Sequence, residues 1–267
     1  MKYGASTLMK GTVEQFFDGA RASFEVVEVV CDSPYSNPLD VNSDFLRSVG
    51  KSLGTEFTVH CPFSKSDIGS LDDALREQSV RGVLESIELG SMIGASLVVV
   101  HPTRGTRGGL EERERVRALE KESLVRIHES ARARGLRICV ENMPSGSPFA
   151  DRSLASGVMH LVKGLDGAGV TLDVGHANTT TVPAQKMAEH FGSLIGHVHV
   201  HDNRGEQDEH LEIGLGSIDW RAIMTTLVRL GYEGILLDES LSIEAAKRGL
   251  ACVKKLVEEV QGIERSG

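Results

Sequence analysis

The sequence has few cysteines and no apolar run long enough to cross a bilayer. Only 4 of its 267 residues are cysteines, and they are scattered without a CxxC pair, which favours a reduced, cytoplasmic compartment. The longest apolar runs, such as LVVV at 97–100, have the length of a core strand. Because Met1 leads almost directly into the strand-like KYGAST, no signal peptide is expected.

Basic residues are also fewer than acidic ones, with 29 Lys and Arg against 38 Asp and Glu. The formal net charge of −9 disfavours a broad surface for nucleic acid or acidic membrane, although it leaves room for a local basic patch. No GxGxxG motif follows the first strand-like segment, which disfavours a dinucleotide-binding open sheet. What remains, 40% hydrophobic and 25% charged residues, is the composition of a soluble globular protein with a large core.

One unit repeats along the chain: a short apolar run, a polar loop and a longer segment of helical period. The predicted strands are 2–6, 24–30, 56–61, 96–101, 137–141, 169–174, 195–200 and 234–238. The predicted helices are about 12–22, 42–53, 71–93, 111–134, 151–165, 183–191, 219–230 and 242–261, with Asp219 and Ser242 as N-caps. Consecutive apolar residues indicate parallel strands covered on both faces. We therefore predict a single (β/α)8 TIM barrel over residues 1–267, with a doubly wound sheet as the alternative.

Ionisable side chains stand at or just beyond six consecutive predicted strand ends, namely His60, His101, Glu141, Asp173, His176, His199, Asp208, His210 and Glu239. Each alone is more often a hydrogen-bonded rim or capping residue than a ligand. Together, at one mouth, they would repel and desolvate one another unless cations compensated them. Mixed nitrogen and oxygen ligands without thiolates suit Zn²⁺, Mn²⁺ or Fe²⁺ better than Ca²⁺.

The segment HVHVHDNRGEQDEH carries the densest part of this set. His197, His199 and His201 alternate, so their side chains point to one side of the strand. We expect His199 to face the metal, His197 to lie one layer deeper and His201 to lie at the rim. In the following loop, Asp208 and His210 are expected on one side, where they could bind a common ion.

Five segments make the chain resemble the xylose isomerase-like TIM barrels: ENMP, LDVGHAN, HVHVHDN, DEHLEIGLGSIDW and LLDES. That superfamily includes endonuclease IV, of AP endonuclease family 2, and many sugar-phosphate isomerases and epimerases. The resemblance covers essentially the whole chain. It implies a barrel with a metal-dependent active site at its mouth.

The resemblance implies one of two metal sites. The isomerase and epimerase branch holds one divalent metal with ligands that correspond to Glu141, Asp173, His199 and Glu239, and the two glutamates transfer the proton. Endonuclease IV holds three zinc ions with nine ligands, and the additional five correspond to His60, His101, His176, Asp208 and His210. The expected cofactor is therefore a divalent Zn or Mn ion, with one to three per chain.

The predicted mouth loops offer only a few cations. Substrate-binding side chains are expected to be Arg104, Arg107, Asn142 and Arg204. The arginines and Lys65 are enough for one or two phosphates but few for a DNA groove, and the strand 2 loop CDSPYSNPLD contains no Lys or Arg. Solvated charge is the alternative interpretation of Arg104 and Arg107. Phe63 falls where the endonuclease has an intercalating aromatic, but we interpret it as a loop-packing residue.

Three functions remain open. The first is a metal-dependent isomerase or epimerase that acts on a small sugar or sugar phosphate through an enediolate, with Glu141 and Glu239 as proton-transfer residues. The second is an endonuclease IV-like multi-zinc phosphodiester hydrolase, acting on abasic sites or small phosphoesters. A metal-binding barrel without chemistry ranks last, because the carboxylate pair is intact. The small substrate is favoured over duplex DNA, no membrane partner is expected, and homo-oligomerisation is left open.

Overall fold

Eight parallel strands form the centre of the molecule. The computed structural model describes residues 1–9, 11–20, 22–32, 40–146 and 151–264. In chain order, β1 to β8 are Lys2–Ser6, Val26–Val30, Glu56–His60, Leu97–Val100, Arg137–Glu141, Gly169–Asp173, Ile195–Val200 and Ile235–Asp238. Every predicted strand is present close to its predicted bounds.

The sheet closes on itself. Each strand pairs with its sequence neighbour, and β1 pairs with both β2 and β8, for example Gly4 with Val26 and Lys2 with Ile235. The predicted (β/α)8 TIM barrel is confirmed, and the open-sheet alternative is excluded. In such a barrel the carboxyl ends of all eight strands open onto one face.

Helices alternate with the strands around the barrel. In the described ranges, α1 to α9 are Val13–Ala20, Ser43–Leu53, Asp73–Ile93, Leu110–Ala133, Ala155–Val162, Val174–Asn178, Ala184–Phe191, Trp220–Arg229 and Ile243–Glu264. Eight of these match predicted helices, although α5 is shorter than the predicted 151–165. The predicted caps are present: Asp219 accepts from the Ala222 amide at 3.0 Å, and the Ser242 hydroxyl accepts from the Ala245 amide at 3.2 Å.

The short helix α6 was not predicted, and it begins directly after β6. The Asp173 carboxylate accepts a hydrogen bond from the His176 amide at 2.6 Å and so caps this helix. Because the last residue of β6 is itself the N-cap of α6, the helix follows the strand without an intervening loop. The segment LDVGHAN therefore places Asp173 and His176 one turn apart at the barrel mouth.

The barrel lumen is divided into an apolar and a polar part. Two small buried clusters, Val26 with Ile235 and Leu237, and Leu97 with Val99 and Cys139, fill its amino-terminal part. Side chains two residues further along these strands share the inward face and include Glu28, His101, Glu141 and Glu239. The polar groups are therefore gathered toward the carboxyl-terminal face.

Three sequence expectations concern the cysteines, membrane-spanning helices and the strand 2 loop. All four cysteines are free thiols, and within the described ranges no helix is long and apolar enough to span a membrane. Most of the strand 2 loop, residues 33–39, lies outside the described residues. The prediction that this loop does not bind DNA phosphates therefore rests on its lack of Lys and Arg in the sequence.

Candidate active site

Three predicted carboxylate ligands converge on a ring nitrogen of a fourth predicted ligand, His199. His199 Nδ1 lies 3.2 Å from Glu141 Oε1, 3.7 Å from Asp173 Oδ2 and 3.7 Å from Glu239 Oε2. These side chains are 0–5% exposed. We call Glu141, Asp173, His199 and Glu239 the tetrad. The structure brings together all four residues that the resemblance assigns to a shared metal.

Two histidines lie on one side of the tetrad. His60 Nε2 is 3.3 Å and His101 Nε2 is 2.9 Å from Glu141 Oε2, so both rings share one carboxylate oxygen. Phe63 packs against both rings, with centroid distances of 5.2 and 5.1 Å. The interpretation of Phe63 as a packing residue therefore agrees with its contacts.

Two more histidines lie on the other side, around the carboxylate of the β7 loop. His176 Nε2 and His210 Nε2 both lie 3.1 Å from Asp208 Oδ2. His210 is also the one non-glycine residue of the described chain with a left-handed φ, at 49°. Such a conformation is uncommon for a residue with a Cβ and persists only where neighbouring contacts impose it.

Backbone carbonyls orient three of these rings in the same way. The Nδ1 atoms of His60, His176 and His210 lie 2.9, 2.8 and 3.1 Å from the carbonyl oxygens of Cys61, Asn142 and Glu239. Because a carbonyl can only accept, each Nδ1 carries the proton and donates it. The lone pair of each neutral ring is then on Nε2, which faces a carboxylate at the mouth.

The loop that carries Asp208 and His210 is held by the buried carboxylate of Asp202. Its oxygens accept from the amides of Asn203, Gly214 and Ile218 and from Trp220 Nε1, at 2.9, 2.8, 3.3 and 2.9 Å. Reciprocal backbone hydrogen bonds of 2.8 Å also join Asp202 to Leu211. A Cβ on Gly216 would lie 2.1 Å from Asp202 Oδ1, so the GLG turn needs glycine there.

The three alternating histidines in and directly after β7 share one side, as their alternation predicts, and the structure shows that this side faces inward. His197 contacts Glu28 Oε2 at 3.1 Å, one layer below the tetrad. The expectation that His201 lies at the rim is wrong, because its ring is fully buried with Nε2 3.2 Å from Asp173 Oδ2. Gly175 permits this position, since a Cβ there would lie 1.9 Å from His201 Cε1.

The predicted substrate-binding residues separate into two groups. Arg104 lines the cavity, and its guanidinium donates to the carbonyl oxygens of Phe63, at 2.9 Å, and Ser64. Arg107 and Arg204 are exposed outside the cavity lining, and Arg204 pairs with Glu209. Asn142 does not reach the cavity either: it is fully buried, and its amide exchanges hydrogen bonds of 3.0 and 2.9 Å with the Asp173 backbone. Its contacts are those of a residue that positions Asp173.

A cavity of about 380 Å³ opens onto these groups. Its lining includes five apolar residues, Leu8, Phe63, Pro102, Met143 and Pro144, together with polar and ionisable ones. Glu141 and Glu239 line the cavity together with His60, His101, His176, Asp208 and His210. A small polar molecule can therefore contact both tetrad glutamates.

Comparison with known proteins agrees with this arrangement. The family model described as xylose isomerase-like TIM barrel matches residues 17–256. The chain belongs to this family. The resemblance of the sequence to the xylose isomerase-like TIM barrels is therefore confirmed.

Several relatives of this xylose isomerase-like barrel cover most of its length. An uncharacterized protein of Methanocaldococcus jannaschii is 30% identical over 266 residues, which are 97% of this chain and 90% of that protein. The L-ribulose 3-epimerase of Mesorhizobium japonicum is 26% identical over 234 residues, 86% of this chain and 75% of that protein. The crystal structure of a D-tagatose 3-epimerase-like protein superposes with a TM-score of 0.91 at 28% identity and covers 100% of both chains.

The electrostatics of this xylose isomerase-like site require positive charge. Burial would raise the pKa of Glu141, but the His101 and His199 rings hold it well below its usual range. Burial lowers the pKa of His60 and His210, but Glu141 and Asp208, respectively, raise each to about 9. Ionised carboxylates thus dominate the site and need compensation from protonated rings or from a bound cation.

The donor atoms fit a divalent metal ion. Buried Glu141 Oε2 and Asp208 Oδ1 have no hydrogen-bond partner among the described residues, although histidine nitrogens lie 2.9 and 3.6 Å away. Ligand atoms of Asp173, His199 and Glu239 lie within 4.8 Å of one another. Nitrogen and carboxylate oxygen donors without a nearby thiolate suit Zn²⁺ or Mn²⁺.

One member of the constellation was missed in the sequence. Glu28, in the centre of VVEVV, is fully buried, and its carboxylate contacts both His197 and His199. The available signal was a single charged residue inside an otherwise apolar strand. Burial of an ionised carboxylate is unfavourable without partners, so such a residue indicates a polar lumen.

Proposed function

We propose that the chain is a divalent-metal-dependent isomerase or epimerase that acts on a small sugar or sugar phosphate by proton transfer. The observation that carries this proposal is the tetrad, in which three carboxylates meet His199 Nδ1 beside a small cavity. The L-ribulose 3-epimerase and the D-tagatose 3-epimerase-like protein support the reaction class.

In this proposal the metal is held by Glu141, Asp173, His199 and Glu239. When bound, it would polarise the substrate carbonyl and offset the negative charge that develops on the carbonyl oxygen. Asp173 is fixed for this role, because one oxygen caps α6 and its backbone pairs with the Asn142 amide. His201 holds the other Asp173 oxygen at 3.2 Å.

Glu141 and Glu239 are the proposed proton-transfer residues. Both line the cavity, and both have an oxygen within 3.7 Å of His199 Nδ1. One carboxylate would remove the proton from the carbon next to the carbonyl, and the other would return a proton to the same or the adjacent carbon. Because the two residues come from different strands, removal and return need not occur on the same face of the substrate.

The cavity limits the substrate to a small molecule. A volume of about 380 Å³ is in the lower part of the range for small-molecule sites. The apolar lining residues can contact carbon-bound hydrogens, and the polar ones can pair with hydroxyl groups. Arg104 is the arginine in this lining, and it would contact a phosphate or a terminal hydroxyl.

A second candidate function is phosphoester hydrolysis of the endonuclease IV type. The observation that favours it is the pair of histidine clusters on either side of the tetrad, which give Glu141 and Asp208 two histidine neighbours each. A one-metal isomerase does not require these four histidines or Asp208. The net charge of −9 and the small cavity favour the isomerase over duplex DNA.

The deciding experiment presents both substrate classes to one metal-loaded preparation. A panel of ketoses, aldoses and their phosphates is incubated in D2O, and a duplex with one abasic site is incubated in parallel. Proton transfer by a carboxylate predicts that a turned-over sugar acquires deuterium at the reacting carbon. Incision of the duplex, with no sugar converted, would overturn the isomerase proposal and select the hydrolase.

Glu239→Gln is the matching variant, and we expect a loss of sugar turnover of at least 10²-fold because the variant removes both a ligand and a proton-transfer group. The control is Glu212→Gln, which makes the same change in the β7 loop, where Glu212 pairs with Arg248. Circular dichroism should show both variants folded. Full activity in Glu239→Gln would remove this residue from the proposed mechanism.

A further inference from the structure

Glu28 is a buried carboxylate of the constellation that, like Asp173, does not line the cavity. It is fully buried, it is absent from the cavity lining, and it approaches the tetrad from below. The proposed function gives it no role in binding substrate or in moving a proton. Its position nevertheless places it against the only nitrogen ligand of the tetrad.

The two oxygens of Glu28 have separate partners. Oε2 accepts a hydrogen bond from Thr58 Oγ1 at 2.9 Å and pairs with His197 Nε2 at 3.1 Å. These two contacts anchor one oxygen of the carboxylate. Oε1 lies 3.0 Å from His199 Nε2, and both are buried atoms without a geometrically formed hydrogen bond in the described chain.

His199 is oriented in the opposite way to its neighbours. In His60, His176 and His210, a backbone carbonyl holds Nδ1 and leaves Nε2 toward the mouth. In His199, Nδ1 faces the tetrad carboxylates, so Nε2 must carry the proton when Nδ1 is a ligand. That proton needs an acceptor, and the atom that faces it is Glu28 Oε1 rather than a carbonyl.

We propose that Glu28 is a positioning residue that holds His199 with its proton on Nε2 and its lone pair on Nδ1, toward the tetrad. Thr58 and His197 keep the Glu28 carboxylate in place for this task. The inference rests on the proposed metal-dependent function, because it assigns a role in preparing the metal ligand. A carboxylate behind a ligating histidine fixes its tautomer and raises its affinity for metal.

The test compares Glu28→Gln with the wild type in zinc-loaded protein. We expect the dissociation constant for Zn²⁺, measured by competition with a chelator, to rise roughly 10- to 100-fold. At saturating zinc the bound amount should return to the wild-type value, and Glu28→Asp should recover part of the affinity. Glu56→Gln is the matched control, since it makes the same change on the neighbouring strand, where Glu56 pairs with Lys2 near the protein surface.

A second readout reports on His199 itself. Long-range ¹H–¹⁵N spectra of histidine-labelled, zinc-loaded wild type should show His199 protonated on Nε2, with that proton shifted downfield by the carboxylate. The resonance is assigned by its loss in His199→Gln, and it should move upfield in Glu28→Gln. If that variant does not fold, Glu28→Asp takes its place, and the His199 proton should then lie upfield of its wild-type position; an unchanged position would overturn the positioning role.

The possible failures are distinguishable. Protonation of His199 on Nδ1, or wild-type zinc affinity in folded Glu28→Gln, overturns the positioning role and leaves the proposed function intact. Loss of one whole ion per chain at saturating zinc would make Glu28 a ligand, which also overturns it. If the wild type binds no divalent metal, the proposed function fails together with this inference.

Discussion

At the scale of single residues, the side chains around the tetrad can be ligands or simply cavity walls. His101 Nε2 and His210 Nε2 each face a carboxylate oxygen, at 2.9 and 3.1 Å. His210 also keeps an unfavourable left-handed backbone, which a mere wall residue has no reason to adopt. The geometry therefore favours additional metal binding on both sides of the tetrad.

We predict that His101→Ala and His210→Ala each lower the metal content of protein purified with zinc. Each variant removes the imidazole nitrogen that faces Glu141 or Asp208, so the flanking ion loses about tenfold or more in affinity. Elemental analysis measures the number of ions per chain. The control is His160→Ala, an exposed residue of α5. Unchanged metal content in both cavity variants would make these histidines part of the cavity wall only.

At the scale of structural elements, the β7 loop depends on one buried carboxylate. Asp202 satisfies three backbone amides and the indole of Trp220, so it ties both ends of the loop to the start of α8. The bridge from Asp202 to Leu211 fixes the segment between them. This network holds the backbone of the loop, and contacts with His176 and with the Glu239 carbonyl then fix the Asp208 and His210 side chains at the mouth.

We predict that Asp202→Asn destabilises the protein by about 2–4 kcal/mol, because an amide nitrogen would face donors that now share a carboxylate. Thermal and urea unfolding measure the loss, and the fluorescence of Trp220, the only tryptophan, reports on its hydrogen bond. Asp219→Asn is the control in the same loop, since asparagine caps a helix as well as aspartate does. Equal stability of the two variants would contradict the role of Asp202.

At the scale of the whole molecule, the tetrad joins β5, β6, β7 and β8, and the flanking histidines extend the site to β3 and β4. Ligands from so many strands exist as a site only in the closed barrel. Any ion bound there therefore binds the folded state preferentially, and binding free energy adds to folding stability.

We predict that chelation lowers the melting temperature by about 5–10 °C and that added Zn²⁺ or Mn²⁺ restores it. Ligand at about 100 times its Kd stabilises the folded state by about 2.7 kcal/mol, and each kcal/mol shifts the melting temperature of a chain this long by about 2–4 °C. Ca²⁺ should restore less, because histidine ligands disfavour it. Glu239→Gln should show a smaller chelation effect. A melting temperature that is insensitive to chelation in the wild type would contradict a metal centre.

Local pattern alone predicted most of the fold. Apolar β-branched runs located the eight strands, and helical periods located eight of the helices. A strand that is buried on both faces is apolar at consecutive residues, whereas a helix that is buried on one face is apolar at every third or fourth residue. The helix α6 was missed because it is five residues long, too short to show a period. Its N-cap, Asp173, is also a predicted metal ligand, and the sequence gives no separate sign of its capping role.

The sequence by itself determined the barrel, its inward-facing histidines and the residues at each strand end, because these follow from chain order and the alternation of side chains. Only the tertiary structure decided which of them meet. It joined Glu28 to His199 across 171 residues of sequence, buried His201 against Asp173, and directed Asn142 to the backbone instead of the cavity. Such contacts depend on barrel closure and register, which bring distant strands together and have no signature in any local stretch of sequence.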